Sequence, residues 1–195
     1  MENKAVENIH HHYAIFKPWG YLSQFIYNGQ RKKRKKLLGE LYDFAPNTMA
    51  IGRLDQDSEG LLLLTTNGKE SFRILSQKYE KEYYVQLDGL ITDEAITLMK
   101  TGVEIGIEGQ KYMTKPCKAF KIDPPDLPER ARKIRDERHG PTSWASITLR
   151  EGKFRQVRKM TAAVGFPTLR LVRVRIGEHT IDGLHAGSVR EMKTL

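Results

Sequence analysis

Short stretches of alternating or continuous apolar residues run through the chain and predict a fold rich in strands. HYAIF at 12–16 and SWASITL at 143–149 alternate, and GLLLLTT at 60–66 is an unbroken apolar run typical of a buried strand. In the strand predicted at 169–177, alternation puts two arginines on one side. The predicted strands cover residues 12–16, 21–25, 49–53, 60–66, 81–89, 143–149 and 169–177, with two more within 103–122.

Other segments have a helical period, and we predict helices over residues 36–44, 69–77, 92–102 and 154–165. The third has clear boundaries, because Thr92 can cap its N-terminus and Gly102 its C-terminus. In the fourth, Arg155, Arg158 and Lys159 share one face. The stripe expected to be buried there is Phe154, Val157, Met160, Thr161 and Val164. Since helices and strands do not alternate regularly, the predicted fold class is α+β.

Basic residues outnumber acidic ones and cluster along the chain. There are 33 Lys and Arg against 24 Asp and Glu, a formal net charge of +9. Such a surplus favours a polyanionic partner, most often nucleic acid, over a protein that is merely basic. The six basic residues at 31–36 and the proline- and charge-rich segment 123–142 are predicted loops. These loops are solvated, or grip RNA phosphates, or do both.

Several classes of protein do not fit the composition. Cys117 is the only cysteine, which excludes a disulfide or a cysteine-based zinc site within one chain. No apolar run approaches the roughly 20 residues of a membrane span, and the N-terminus lacks the apolar core of a signal peptide. We therefore expect a cytoplasmic protein. His10, His11 and His12 run directly into the first strand, so a metal site there is not favoured.

The segment GRLDQDSEGLLLLTTNG at 52–68 places charged residues immediately before a buried strand. Asp55, Asp57 and Glu59 could be ordinary turn acids. DQDSEG also matches the first half of a calcium-binding loop, but the twelfth position, which must supply a bidentate acid, is Thr66. A two-metal nuclease would need a further cluster of acids or histidines, which the sequence lacks.

Several motifs, in order, resemble those of one enzyme family. GRLDQDSEGL at 52–61, KEYYV at 81–85, EGKFRQVRKM at 151–160 and DGLHAGSVR at 182–190 are similar to motifs of the RsuA-type pseudouridine synthases. The resemblance implies isomerisation of uridine to pseudouridine in RNA, without a cofactor or a metal. It also implies the pseudouridine synthase catalytic fold, a mostly antiparallel mixed sheet flanked by helices and loops, with the active-site cleft across the sheet.

The resemblance also implies a domain organisation and a substrate. We expect a catalytic domain over 13–195, a flexible tail over 1–12 and no S4-type RNA-binding domain. DQDSEGL at 55–61, PTSW at 141–144 and VGFPTLRL at 164–171 are most similar to family members that modify large-subunit ribosomal RNA. The expected partner is 23S ribosomal RNA or a large-subunit assembly intermediate, and the expected enzyme is a monomer. A non-catalytic RNA-binding or ribosome-assembly protein would have the same charge, but it would not need these ordered motifs.

The reaction requires one ionised carboxylate, which the resemblance assigns to Asp55. This group either attacks C1′ of the ribose or takes a proton from C2′, and the sequence does not distinguish the two. Because a cleft that excludes water disfavours an ionised carboxylate, a permanent cation is needed beside it. By resemblance Arg158 is that cation, with Arg155 or Lys159 as alternatives if the helix phase differs.

The target uridine must leave its stack, and three residues are assigned to hold it. By resemblance Tyr83 stacks on the base, whereas Tyr84 points to the opposite face of the strand. Arg53 is assigned to fill the gap left by the flipped nucleotide. Leu171 is assigned to the uracil pocket, although an ordinary core role fits it nearly as well. The leucines at 61–64 would hold the loop of the carboxylate on rigid structure.

Overall fold

A computed structural model of the protein describes residues 9–27, 35–77, 79–135 and 137–195. The strands are β1 His12–Lys17, β2 Met49–Ile51, β3 Glu59–Thr65, β4 Lys81–Asp88, β5 Glu104–Ile107, β6 Gln110–Met113, β7 Lys118–Ile122, β8 Thr142–Leu149, β9 Thr168–Ile176, β10 His179–Thr180 and β11 Val189–Met192. The helices are α1 Gly68–Ser76, α2 Asp93–Thr101 and α3 Gln156–Ala163, with short 3-10 turns at Leu38–Glu40 and Glu137–His139. The predicted α+β class is confirmed.

Most of the strands form one mixed sheet. Their order is β11-β1-β3-β9-β4-β8-β7, with β2 paired to β3 and β10 paired to β9. Neighbours run antiparallel except β3 and β9, which run parallel where Gly60 lies opposite Arg173. Strands β5 and β6 form a separate hairpin. The mostly antiparallel mixed sheet implied by the resemblance is confirmed.

The four leucines at 61–64 lie in β3, in the interior of this sheet, and all are fully buried. Leu61 and Leu63 belong to a hydrophobic cluster on one face, and Leu62 and Leu64 belong to a second cluster on the other. Because alternate side chains of a strand point to opposite faces, a strand covered on both faces needs a continuous apolar run. Each buried leucine contributes roughly 1.5–3 kcal/mol, so β3 is firmly anchored.

Side-chain caps define where two of the helices begin. Asn67 Oδ1 accepts a hydrogen bond of 3.0 Å from the Lys69 N–H at the start of α1. Thr92 Oγ1 accepts one of 3.2 Å from the Ala95 N–H at the start of α2. Gly102, with φ +117°, caps the other end of α2. The predicted boundaries of α2 are therefore confirmed.

The predictions of a strand and of a helix near the N-terminus are wrong. The described residues 21–25 form no strand, and Ser23 instead uses its hydroxyl to bond the backbone of Leu54. The helix predicted over 36–44 is reduced to the 3-10 turn Leu38–Glu40. In both segments contacts with distant parts of the chain override the local pattern, which is a weak guide over so few residues.

The region 103–122 contains three strands, not the two predicted. Between β5 and β6, Glu108 and Gly109 have φ of +49° and +79° and form a two-residue hairpin turn. Positive φ at both positions is usually associated with Asn-Gly or Asp-Gly. A glutamate at the first position therefore hid the turn from sequence analysis.

The prediction that two arginines share one side of β9 is also wrong. Arg173 lies opposite Tyr83 of β4, whereas Arg175 lies opposite Glu82, because a register shift falls between these two residues of β4. Since Glu82 and Tyr83 point to opposite faces, the two arginines do so too. The bulge sends Arg173 toward the face that carries the site and leaves Arg175 to pair with Glu82 on the other face.

Helix α3 begins at Gln156, two residues later than predicted. Val157, Met160 and Thr161 are buried as expected, but Phe154 lies outside the helix with 66% of its surface exposed. The prediction that Phe154 belongs to the buried stripe is therefore wrong. The physical reason is the left-handed conformation of the intervening residue, Arg155, which breaks the helical phase.

Several predictions concern loops and the N-terminal tail. In the predicted loop 123–142, the described residues before β8 contain one short 3-10 turn. Of the basic run at 31–36, residues 31–34 lie outside the described residues. The predicted tail over 1–12 falls mostly on residues 1–8, which also lie outside them, and His12 already belongs to β1.

We expect Gly60→Ala to destabilise the protein severely. Gly60 has φ +102°, and a Cβ atom there would collide with the backbone of Arg173 across the parallel pairing. Backbone strain and overpacking together should lower the free energy of unfolding by at least ~3 kcal/mol, measured by urea denaturation. Gly68→Ala is the control, because Gly68 has open space around it. Equal midpoints for the two variants would contradict the close approach of β3 and β9.

Candidate active site

A cleft of about 1500 Å³ opens across the sheet. Its walls come from the loop 52–58 between β2 and β3, from β4 and β9, and from the turn 150–157 that leads into α3. Four residues predicted for the site line this cleft, namely Arg53, Asp55, Tyr83 and Leu171. Arg158, the fifth, is not among the residues that line it. Sequence motifs far apart in the chain thus meet in one place.

The loop 52–58 is held from two sides. Ser23 Oγ donates to the Leu54 carbonyl at 2.8 Å and accepts from the Leu54 N–H at 3.0 Å. The Gly20 N–H donates to the Gln56 carbonyl at 2.8 Å, and Gln56 Nε2 donates back to the Gly20 carbonyl at 3.0 Å. The Leu54 side chain is buried in the core. Asp55, between the two anchored residues, is therefore fixed in position.

Asp57 accepts hydrogen bonds from two arginines. Arg155 donates from both terminal nitrogens to the two carboxylate oxygens, at 2.9 and 2.8 Å. Arg158 Nη2 donates to the Asp57 carbonyl at 2.8 Å and lies 3.6 Å from the carboxylate. Burial opposes ionisation of Asp57, but the Arg155 hydrogen bonds and the Arg158 charge outweigh it and hold its pKa below the ordinary value. Asp57 is thus a structural anion.

Glu59 is buried at the start of β3 and is also paired. Arg170 of β9 donates to its two oxygens at 3.1 and 3.0 Å, and Arg130 lies 3.3 Å away. Arg170 also donates to the Pro128 carbonyl at 2.6 Å. Since Arg130 and Pro128 belong to the segment 123–142, this cluster attaches the long loop to the strand beside the cleft. Buried charges are tolerated only when they are paired in this way.

Of the three loop acids, Asp55 lies farthest from its nearest arginine. Its Oδ2 lies 3.4 Å from Arg155 Nη1, and its side chain keeps 27% of its surface exposed. The described residues therefore place Arg155, not the expected Arg158, in an ion pair with Asp55. Arg155 has φ +52° and ψ +33°, and from this left-handed position it reaches both acids of the loop. From the sequence Arg155 is only an alternative partner, because a left-handed conformation is not foreseeable for arginine.

Further cations beside the site were missed by the sequence analysis. Lys81 and Arg173 line the cleft, and burial, followed by the nearby Arg173 charge, lowers the pKa of Lys81. Arg173 donates from Nε to the Leu61 carbonyl at 2.8 Å. Lys17 is fully buried and donates to the Pro18 and Tyr21 carbonyls. Lys81 begins the KEYYV motif, which is a signal that could have found it, whereas nothing in the sequence separates Lys17 and Arg173 from solvated basic residues.

Neither a metal-binding cluster nor a membrane-spanning helix is found among the described residues. Among them no group of three or more His, Cys, Asp or Glu side chains is arranged to hold a metal ion. His12 Nδ1 instead lies 2.9 Å from Thr65 Oγ1. In the same part of the chain, no helix combines the length and the apolar character needed to cross a membrane.

Comparison with known proteins identifies the family. A family model described as RNA pseudouridylate synthase matches residues 11–163, most of the chain. The chain belongs to this family. The resemblance inferred from the motifs is therefore confirmed, and the protein is a pseudouridine synthase, an isomerase.

Individual relatives are similar to this synthase over most of its length. Ribosomal large subunit pseudouridine synthase E of Vibrio parahaemolyticus is 40% identical, over 91% of this chain and 71% of the relative. The protein of the same name from Xanthomonas axonopodis is 42% identical, over 86% of each chain. A crystal structure of a pseudouridylate synthase superposes with a TM-score of 0.71 at 26% identity, over 94% of this chain and 70% of the other.

We expect Lys17 to make the stability of the synthase depend on pH. Burial lowers its pKa from 10.5 to about 7, opposed by the nearby charges of Glu59 and Asp57. Between these two values the unfolded chain binds the proton and the folded chain does not, so the free energy of unfolding should rise with pH. The contribution is at most about 1.4 kcal/mol per pH unit.

The measurement compares urea denaturation of wild type and Lys17→Met between pH 7 and 9. Wild type should gain stability relative to the variant as the pH rises. Lys100→Met, which alters an exposed lysine of α2, is the control and should follow the wild-type profile. Parallel profiles for wild type and Lys17→Met would show that Lys17 keeps its ordinary affinity for the proton.

Proposed function

We propose that this synthase converts a uridine of 23S ribosomal RNA to pseudouridine and that Asp55 is the reacting carboxylate. The observation that carries the proposal is the position of Asp55, in the cleft, on a loop fixed from both sides, beside Arg155 at 3.4 Å. The relatives named ribosomal large subunit pseudouridine synthase E support large-subunit ribosomal RNA as the substrate.

The different surroundings of the three loop acids favour Asp55 for the reaction. Asp57 and Glu59 are tied to arginines by bidentate hydrogen bonds, so either acid would have to break two hydrogen bonds to move toward a substrate. Asp55 has a longer ion pair and faces the cleft. A carboxylate that lies beside a guanidinium but is not covered by it is suited to act as nucleophile or base.

The reaction itself breaks the N1–C1′ bond, turns the uracil and joins C5 to C1′. Asp55 either attacks C1′ or removes the C2′ proton. By either route the bond from C5 to C1′ regenerates Asp55, through displacement of the ester or return of the C2′ proton. The proton on C5 is then lost to solvent and N1 takes one up, so atoms and charge balance without an oxidant. Tyr83 would stack on the flipped base, since it lines the cleft and belongs to the same core cluster as Leu171.

The remaining site residues have roles in holding the RNA. Leu171 would contact the uracil with the part of its surface that lines the cleft, while the rest packs in the core. Arg53 is exposed at the cleft and would fill the gap left by the flipped nucleotide. Arg158 would act through Asp57, whose carbonyl it contacts, and not directly on the RNA.

Basic loops beside the cleft would contact the RNA backbone. Lys35, from the basic run, donates to Gln56 Oε1 at 3.2 Å, and Lys36 lines the cleft. Arg132, from the segment 123–142, lies over the ring of Trp19, which also lines the cleft. Contacts between basic side chains and phosphates supply much of the affinity of RNA-binding proteins.

We further propose that the synthase acts as a monomer in the cytoplasm.

The decisive experiment follows tritium release from 23S ribosomal RNA labelled at uridine C5. Wild-type protein should release label to water without cutting the strand. Asp55→Asn, which keeps the shape and removes the charge, should lower the release rate at least ~10³-fold while RNA binding survives. Asp57→Asn is the matched control, because it alters the order of the loop and should leave measurable turnover.

Two results would refute the assignment. Full activity in Asp55→Asn would exclude this residue as the reacting group. No release by wild-type protein, from either mature 23S ribosomal RNA or a large-subunit assembly intermediate, would favour a non-catalytic RNA-binding role.

A further inference from the structure

Phe154 is a large apolar side chain that the fold leaves exposed in the cleft. It lies in the turn before α3, lines the cleft and keeps 66% of its surface exposed. The left-handed conformation of Arg155 turns the chain here, so that Phe154 misses the core on which α3 packs. Single exposed apolar residues are common on proteins, so exposure alone assigns no role to this ring. The role follows from what surrounds it.

The turn that carries Phe154 is held rigidly. The Glu151 carboxylate accepts a hydrogen bond of 2.6 Å from Tyr112 Oη of the β5–β6 hairpin and another from Gln156 Nε2. Gln156, which is only 4% exposed, also accepts from the Lys153 N–H at 3.0 Å. Because its backbone is already ordered, the exposed ring can contact a ligand with little further loss of conformational entropy.

Basic groups lie beside the exposed ring. Lys159 Nζ is 5.2 Å from the centroid of Phe154, and Lys153 Nζ is 4.9 Å from the centroid of Tyr112. Lys115, like Lys153, lines this wall of the cleft. An aromatic ring next to several cations matches single-stranded nucleic acid, in which each base has a phosphate on either side.

We propose that Phe154 is a stacking platform for the base of the nucleotide next to the flipped uridine, with Lys153 and Lys115 facing its phosphates. The proposal rests on the proposed function, since that uridine is the one delivered to Asp55. A flipped nucleotide leaves its neighbour without one stacking partner, and Phe154 replaces that partner at the edge of the cleft. It is therefore a second aromatic contact, separate from Tyr83.

The test measures both binding and turnover on 23S ribosomal RNA. Phe154→Ala should raise KM and the dissociation constant about tenfold, within the range for loss of one base–aromatic stack, with kcat within twofold of wild type. Phe154→Trp should restore binding. Phe72→Ala is the matched control, because Phe72 is 74% exposed on α1 and does not line the cleft. It should behave like wild type.

Salt dependence and fluorescence separate stacking from a general loss of structure. Phe154→Ala should keep the wild-type slope of log affinity against log salt, whereas Lys153→Gln should reduce that slope by about one. The added tryptophan of Phe154→Trp should be quenched by bound RNA beyond the response of the native Trp19 and Trp144. The tryptophan of Phe72→Trp should not.

The outcomes distinguish this inference from the proposed function. Normal tritium release with equal KM for Phe154→Ala and Phe72→Ala would overturn the stacking platform and leave the synthase activity intact. An equal lack of quenching in both tryptophan variants would overturn it as well. If wild type released no tritium while Phe154→Ala still weakened RNA binding tenfold, Phe154 would be an RNA contact, but its place beside a flipped uridine would fall together with the proposed function.

Discussion

The parallel pairing of β3 with β9 is the contact on which the cleft depends. Strand β9 comes late in the chain, yet it lies between β3 and β4 in the sheet. It therefore brings the C-terminal residues Leu171 and Arg173 between the loop of Asp55 and the strand of Tyr83. The approach is so close that one position of β3 can be only glycine, since Gly60 lies against the backbone of Arg173.

Paired charges around this contact distinguish the three acids of the loop. The net charge of +9 suggests a surface covered with basic groups, but several arginines lie inside. Arg155 and Arg158 hold Asp57, and Arg170 and Arg130 hold Glu59. Each pair compensates the loss of solvation and adds a tie between distant segments. Asp55 lines the cleft without the bidentate arginine pair that Asp57 and Glu59 both have.

The sequence could predict the elements whose pattern is long or continuous. The leucine run, the capped helix α2 and the strands at 81–89 and 143–149 were all foreseen, because burial on one or both faces determines their period. The motifs also identified residues that line the cleft, such as Asp55 and Tyr83. These features depend on local sequence and on family resemblance.

What the sequence could not predict depends on contacts between distant residues or on rare backbone geometry. Gly20 and Ser23 are bound to the loop 52–58 by hydrogen bonds from side chains, and an alternating apolar pattern over 21–25 cannot reveal such bonds. The bulge opposite Glu82 that separates Arg173 from Arg175 is a property of the pairing with β4. The choice of Arg155 as partner of Asp55 follows from one left-handed residue.

The left-handed conformation of Arg155 lowers local stability but gives the candidate site its geometry. An arginine with φ +52° is strained by roughly 1–2 kcal/mol, whereas glycine or asparagine would adopt the same backbone at lower cost. Selection for thermal stability alone would therefore replace Arg155. Such a replacement would leave Asp57 with Arg158 alone and remove the cation that pairs with Asp55. The surrounding packing thus keeps a strained backbone at Arg155, and this backbone places the guanidinium beside Asp55 and Asp57.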